Sequence, residues 1–293
     1  MSIGSTAHLS LSGSARVPVW ANVHLTHATI QRIADRARVD VLHIKGPATS
    51  PSLRANLHRS SDVDVLVRPS HIDRMLTALA EHDWTMITTF EEGSPFGHAA
   101  NLRHPSWSIV DVHRLLPGPL VEAETVFERL WREHEETSIA HHRCAVPSLT
   151  GQVFVQVTHA ARSHATEHAD AWDRSDDALR ARVRALADEL RASSALAAGI
   201  GELESHRGAS DFPLWSFWSA PEGDRADEWA SRIRSASGPR AKVAVLRRAL
   251  RVNRSHLALR LGHEPRRSEV LREQGARIRL ALTQLARRWG RPR

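Results

Sequence analysis

The apolar positions change period along this chain, and the change divides it in two. Val23, Ile30, Ile33, Ala34 and Ala37 fall on one helical stripe, which predicts a helix over 23–37. The β-branched run from Val39 to Ile44 predicts a strand, closed by Lys45-Gly46-Pro47, a combination that stops a strand and can open a helix with proline in its first turn. A second strand is predicted over 63–67, and after Pro69 the spacing of Ile72, Met75, Leu76, Leu79 and Ala80 is helical. Trp84 to Phe90 reads as a strand, 91–100 as a Gly/Pro loop and 107–113 as a further strand.

Beyond Pro117-Gly118-Pro119 the pattern turns helical and stays so. Helices are predicted over 152–168, 176–198 and 226–235, interrupted by an aromatic loop over 212–218. Near the end Leu271, Ile278, Leu282, Leu285 and Trp289 share a face, with Arg277, Arg279, Arg287 and Arg288 mostly off it. No repeat of roughly 20–50 residues is present. The expectation is a mixed-sheet first half and an all-α second half. It divides into a flexible N-terminus (1–19), a catalytic domain (20–147), a helical domain (148–237) and a basic helical C-terminal segment (238–293).

Composition narrows the class. With 41% hydrophobic and 25% charged residues over 293 positions, the chain can bury a core, and neither wholesale disorder nor a fibrous repeat fits. Its one cysteine, Cys144, cannot build a disulfide framework, and no apolar stretch of about 18 residues or signal-peptide core is present. A cytoplasmic protein without a membrane span is expected. The net charge of +7 hides an asymmetry, because residues 238–293 alone carry 16 basic against 3 acidic groups. Such a block suits RNA, another polyanion or an anionic membrane surface, or else forms a solvated helical face. Lys45 and Lys242 are the only lysines. In so arginine-rich a chain, Lys45 marks a place where a compact ammonium is needed and a planar guanidinium will not serve.

The sharpest chemistry lies in the strands. Asp62 and Asp64, two residues apart, project from one face while Val63, Val65 and Val67 face the other way. Two carboxylates so close repel, and a hard divalent cation with oxygen ligands, magnesium first among them, relieves the repulsion. Alternation also puts Asp111 and His113 on one face of their strand. If the two strands are neighbours, three carboxylates converge. Around one or two Mg2+ ions they suit in-line displacement on a phosphate, and Lys45-Gly46 adds a cation and a close backbone approach. Taken singly, Asp-x-Asp and Lys-Gly are common pairs, so their order and spacing carry the weight.

That order is His43-Ile44-Lys45-Gly46-Pro47-Ala48, then Arg59-Ser-Ser-Asp62-Val-Asp64-Val-Leu-Val67, then Val110-Asp111-Val112-His113. It resembles the uncharacterised nucleotidyltransferase family of the polymerase-beta-like superfamily over about residues 20–190. The resemblance implies an α+β fold: a polymerase-beta-like mixed sheet with flanking helices, followed by an all-α domain. It implies Asp62 and Asp64 as ligands of two Mg2+ ions. Asp111 becomes the third carboxylate, ligating a metal and activating an acceptor hydroxyl. Lys45, Gly46, Arg59 and Ser61 are assigned to the nucleotide, with Lys45-Gly46 standing where the superfamily has a Gly-Ser turn. His113, His159 and His164 become cleft-lining candidates. The implied reaction moves a nucleoside monophosphate from a triphosphate such as ATP to a hydroxyl of a small molecule, protein or RNA. The rival is a non-catalytic nucleotide- or RNA-binding module, antitoxin-like, on the same fold.

Other patterns yield to plainer accounts. His164-Ala-Thr-Glu167-His168 fits an H-x-x-E-H zinc motif but lacks a third ligand, so a helical surface is favoured. His141, His142 and Cys144 read as structural or exposed, Gly93 to Gly97 as a strand connection that can also cover a nucleotide, and Trp215 and Trp218 as core. No phosphate-loop or dinucleotide fingerprint is present.

Overall fold

Five strands form one mixed sheet in the order β1-β2-β5-β4-β3, and its two faces bury different sets of side chains. These are β1 (Val41–His43), β2 (Val63–Val67), β3 (Thr85–Thr88), β4 (Ala99–Arg103) and β5 (Val110–His113). The computed structural model describes residues 17–54, 60–93, 96–163, 166–220, 225–236, 238–250 and 252–289. β2 runs parallel to β5 and antiparallel to β1, and β4 is antiparallel to β3 and β5.

Strand alternation sorts the residues. Val41, Val63, Val65, Val67, Ala100, Leu102, Val110 and Val112 pack on one side with Ile30 and Ile33 of helix α1 (Val19–Ala37) and Met75 and Leu79 of α2 (Ile72–Ala80). On the other side Leu42, Ile44 and Leu66 join Phe127 of α4 (Ala123–Arg132), Val153, Phe154 and Val157 of α5 (Leu149–Ser163), and Val183 and Leu186 of α7 (Asp177–Glu189). The second core crosses position 147, so the first long helix of the C-terminal half lies directly on the sheet. The short helices α3 (Phe90–Gly93), α6 (Thr166–Asp173) and α8 (Ser193–Gly199) complete this part.

The structure departs from the sequence expectations in four places. The stretch 91–100 is no simple loop: it holds α3 and the start of β4, a strand whose Asn101 and Arg103 break the β-branched pattern. The region after Pro119 is not all helical, because β6 (Glu135–Ile139) and β7 (His142–Val146) pair as a hairpin. Its turn residues Ala140 and His141 adopt φ of 48° and 61°, the conformation a tight hairpin needs, without the glycine or asparagine that would announce it. The predicted helix over 176–198 breaks into α7 and α8 near Arg191, at φ 53°. Residues 212–218 form helix α9 (Phe212–Trp218) with Pro213 in its first turn, and Trp215 is buried.

The basic C-terminal segment is helical as expected: α10 (Arg225–Ser235) precedes α11 (Gly238–Leu250), α12 (Arg254–Leu261) and α13 (Arg267–Trp289). Val252 and Leu257 are buried, and α12 touches α3 and β3, so the segment packs on the chain's own fold at that point. Glu273 accepts from Arg260 and Arg277, tying α12 to α13. The shared apolar face is open at Leu271 and Ile278, and the side chains of Leu282, Leu285 and Trp289 lie outside the described residues. Among the described residues no helix is long and apolar enough to cross a membrane.

Candidate active site

The register of the two central parallel strands builds the site. Asp64 pairs with Asp111 and Leu66 with His113, so both acids and the histidine stand on the face that α5 covers. β4 adds Asn101 opposite Asp111, and its amide donates to the Asp111 carboxylate while Thr88 donates to the Asn101 carbonyl. From the end of β1, Lys45 Nζ donates to Asp64 Oδ1 at 2.6 Å, and His113 Nε2 reaches the same oxygen at 2.8 Å. Ligand atoms of Asp64, Asp111 and His113 all lie within 4.8 Å of one another.

These contacts separate the acids electrically. Burial pushes the Asp64 carboxyl up, but the Lys45 ammonium and the His113 hydrogen bond outweigh it and hold Asp64 well below the usual range. Burial and then the Asp64 charge push Asp111 up to about 6, against the Asn101 hydrogen bond, with Asp62 adding to the rise. Asp62, half-buried just before β2, is raised by burial and by Asp64. Burial holds His113 below its ordinary value despite Asp64. Neutral His113 therefore donates Nε2–H to an ionised Asp64, leaving its buried Nδ1 without a hydrogen-bond partner among the described residues. His98 lies beside it, ring centroids 5.2 Å apart, and burial keeps it neutral too.

Gly46 shapes the turn after Lys45. It sits at φ +58°, and a Cβ there would stand 2.9 Å from Ser60 Oγ. Gly46→Ala is therefore expected to cost about 1–2 kcal/mol, read as a lower urea midpoint with an unchanged m-value; an unshifted midpoint would mean the turn tolerates a side chain. Ser60 donates to the Asp62 carbonyl at 2.8 Å, linking this turn to the acidic pair, and Ser61 is exposed beside it. Behind the turn, the buried His27 and His43 face each other with Nδ1 atoms 2.7 Å apart, and Gln31 Oε1 lies 3.2 Å from His43 Nε2, which fastens α1 to β1.

Helix α5 closes the site from above. Val155, Thr158, His159 and Arg162 line a small pocket with Ile44, Lys45, His113, Leu116 and Pro117. Of the residues singled out in the sequence, Lys45, Asp64, Asp111 and His113 thus meet directly. Asp62 and Gly46 adjoin them, and His159 shares the pocket wall. Arg59 and His164 lie outside the described residues, as do the side chains of Glu167 and His168 in the H-x-x-E-H motif and part of the loop from Gly93 to Gly97. His141 occupies the hairpin turn and Cys144 is buried, its thiol pushed up to about 12 by burial.

Sequence reasoning missed Asn101 and Arg162. Asn101 lay in the overlooked strand. Arg162 carried one signal, its place one helical turn after His159.

The donor set fits a divalent cation. Asp64 and Asp111 offer hard oxygen ligands on adjacent strands, and Asp111, raised first by burial and then by the Asp64 charge, is an acid whose ionised form a cation would stabilise. His113 has its Nε2 committed to Asp64, so it orients that carboxylate.

The comparisons with known proteins bear on this geometry. A family model described as an uncharacterised nucleotidyltransferase matches residues 21–201, which contain every side chain of the site. Among solved structures, the antibiotic-resistance factor ANT(2'')-Ia is similar at 12% identity, with 64% of this chain and 96% of that one covered and a TM-score of 0.40. The lincosamide antibiotic adenylyltransferase LnuA, bound to lincomycin, is similar at 13% identity over 56% of this chain and 94% of that one, TM-score 0.34. An antigenic nucleotidyltransferase-like protein from Paracoccidioides brasiliensis is similar at 16% identity over 60% and 93%, TM-score 0.35. No curated protein matches the sequence.

Proposed function

Because the chain belongs to the uncharacterised nucleotidyltransferase family, we propose that it transfers a nucleoside monophosphate from a nucleoside triphosphate to an acceptor hydroxyl, releasing pyrophosphate. Magnesium is the proposed cation, held by Asp64, Asp111 and Asp62. When bound it supplies charge neutralisation at the phosphates and a more acidic acceptor hydroxyl. The observation that carries the reading is the parallel β2–β5 register, which sets Asp64 against Asp111 with Lys45 on the same acid.

The protein's own groups divide the remaining work. Asp111, whose carboxyl burial and the Asp64 charge push up to about 6, takes the proton of the attacking hydroxyl. His113 fixes the orientation of Asp64 and keeps that acid ionised. Lys45 and the Gly46 turn, with Ser61 and Arg59, receive the triphosphate, the lysine as a point charge and the glycine by letting the backbone come close. His159 lines the cleft.

Calorimetry tests the donor half of this assignment. ATP, GTP, CTP and UTP are titrated with and without Mg2+ into wild-type protein and Asp62→Asn/Asp111→Asn protein. At least one triphosphate is expected to bind only with the metal and to lose that dependence in the variant. Equal, metal-independent binding in both proteins would reject the site.

A further inference from the structure

Arg162 differs from Arg68 and Arg129 in how its charge is met. Arg68 meets Asp40, Glu124 and Glu128, and Arg129 meets Glu133 and Glu189. Arg162, half-buried at the end of α5, has no carboxylate within salt-bridge distance among the described residues, and its Nε is shut off from solvent with no hydrogen-bond partner. Its one polar contact among the described residues is Nη2 donating to His159 Nδ1 at 3.1 Å, which makes His159 an acceptor and fixes the plane of the guanidinium. Desolvating a cation this far without an anion is unfavourable, and selection for packing alone would replace it with an apolar side chain.

The surroundings say what kind of anion is missing. Lys45 lines the same pocket, while Ile44, Leu116, Pro117 and Val155 give it apolar walls that strengthen any charge interaction inside. Asp64 and Asp111 act on Arg162 through space without pairing with it, so the guanidinium borders the acidic centre. A planar fork beside a point charge matches phosphate oxygens.

We propose that Arg162 and Lys45 bind the β- and γ-phosphates of the donor and hold them as the leaving pyrophosphate. This rests on the nucleotidyltransferase reading above and deepens it. In the transfer the acceptor oxygen forms a bond to the α-phosphorus, its proton passes to Asp111, and the bond from the α-phosphorus to the bridging oxygen breaks. The electron pair leaves on pyrophosphate, where the guanidinium meets the charge as it develops. His159 is a positioning residue that keeps the guanidinium plane turned into the pocket.

The test uses inorganic pyrophosphate with Mg2+, titrated into the full-length wild type, Arg162→Met and Arg162→Lys. Loss of one charge-assisted anchor is expected to weaken pyrophosphate by about ten- to a hundredfold in Arg162→Met, with Arg162→Lys between the two. Affinity for the four nucleoside monophosphates should change by less than about twofold, since they lack the groups Arg162 holds. The melting temperature of metal-free Arg162→Met should equal or exceed that of wild type, because an unpaired buried charge has gone. Wild-type affinity for pyrophosphate in Arg162→Met would overturn the proposal. So would a lowered melting temperature with equal loss of mono- and pyrophosphate, the signature of a purely structural arginine. Either result beside an Asp111→Asn protein that no longer transfers would overturn this anion site alone, whereas transfer retained by Asp111→Asn would strike at the reading beneath it.

Discussion

Replacing Asp111 with asparagine is expected to slow nucleotide transfer by about 10²–10⁴-fold, the range typical of removing a positioned general base. The change is nearly isosteric. The Asn101 amide that donates to the Asp111 carboxylate can donate equally to the new carbonyl, so the strand contact survives. One of three mutually repelling carboxylates disappears, and the melting temperature of the metal-free protein should stay the same or rise, as expected where function has been built at a cost in stability. Transfer of an α-labelled nucleoside triphosphate and a thermal melt on the same preparation check both parts. Undiminished turnover would remove Asp111 from the mechanism. Lost turnover with a collapsed melt would make its role structural.

Asp64→Ala should behave in the opposite way, as a stability defect first. The lost carboxylate leaves the Lys45 ammonium and His113 Nε2–H without their acceptor in a site where Lys45 and Asp64 are 13% and 7% exposed. Breaking a buried pair from one side typically costs about 3–5 kcal/mol, which for a chain of this size lowers the melting temperature by roughly ten degrees. The double change Lys45→Met with Asp64→Leu removes both charges and should recover more than half of that loss while remaining inactive, and a double-mutant cycle with Lys45→Met and Asp64→Leu as its single variants reads the coupling. If Asp64→Ala melts with the wild type, the ion pair at the heart of the site is not maintained in solution.

The two variants differ because the acids, close in chemistry, stand in different company. Asp64 is ionised and held by two donors; Asp111 is crowded by charge and held by one amide. That difference was invisible in the sequence, where both are an aspartate flanked by valines. Asn101 shows why. It lies on a strand whose residues carry little β-propensity, so neither the strand nor the residue's place opposite Asp111 announces itself. The hairpin β6–β7 escaped for a related reason, since its charged first strand and its Ala140-His141 turn lack both apolar alternation and turn chemistry. Arg162 is the extreme case: in the sequence it is one arginine among many, and only its buried Nε, with no hydrogen-bond partner among the described residues, sets it apart.

What the sequence by itself determined follows from local geometry. A period of two places Asp111 with His113, a period of 3.6 gives α1, α2 and most of the later helices, and Lys45-Gly46 ends a strand wherever that strand goes. Those rules act within a few residues and need no knowledge of neighbours. The tertiary structure alone decided that β2 lies beside β5 in a register matching Asp64 to Asp111. It alone sent the Lys45 ammonium to Asp64 and laid the polar end of α5 over the pair. Strand order and helix docking are set by long-range burial of two apolar faces, and burial acts on surface area without regard to where in the chain that area comes from.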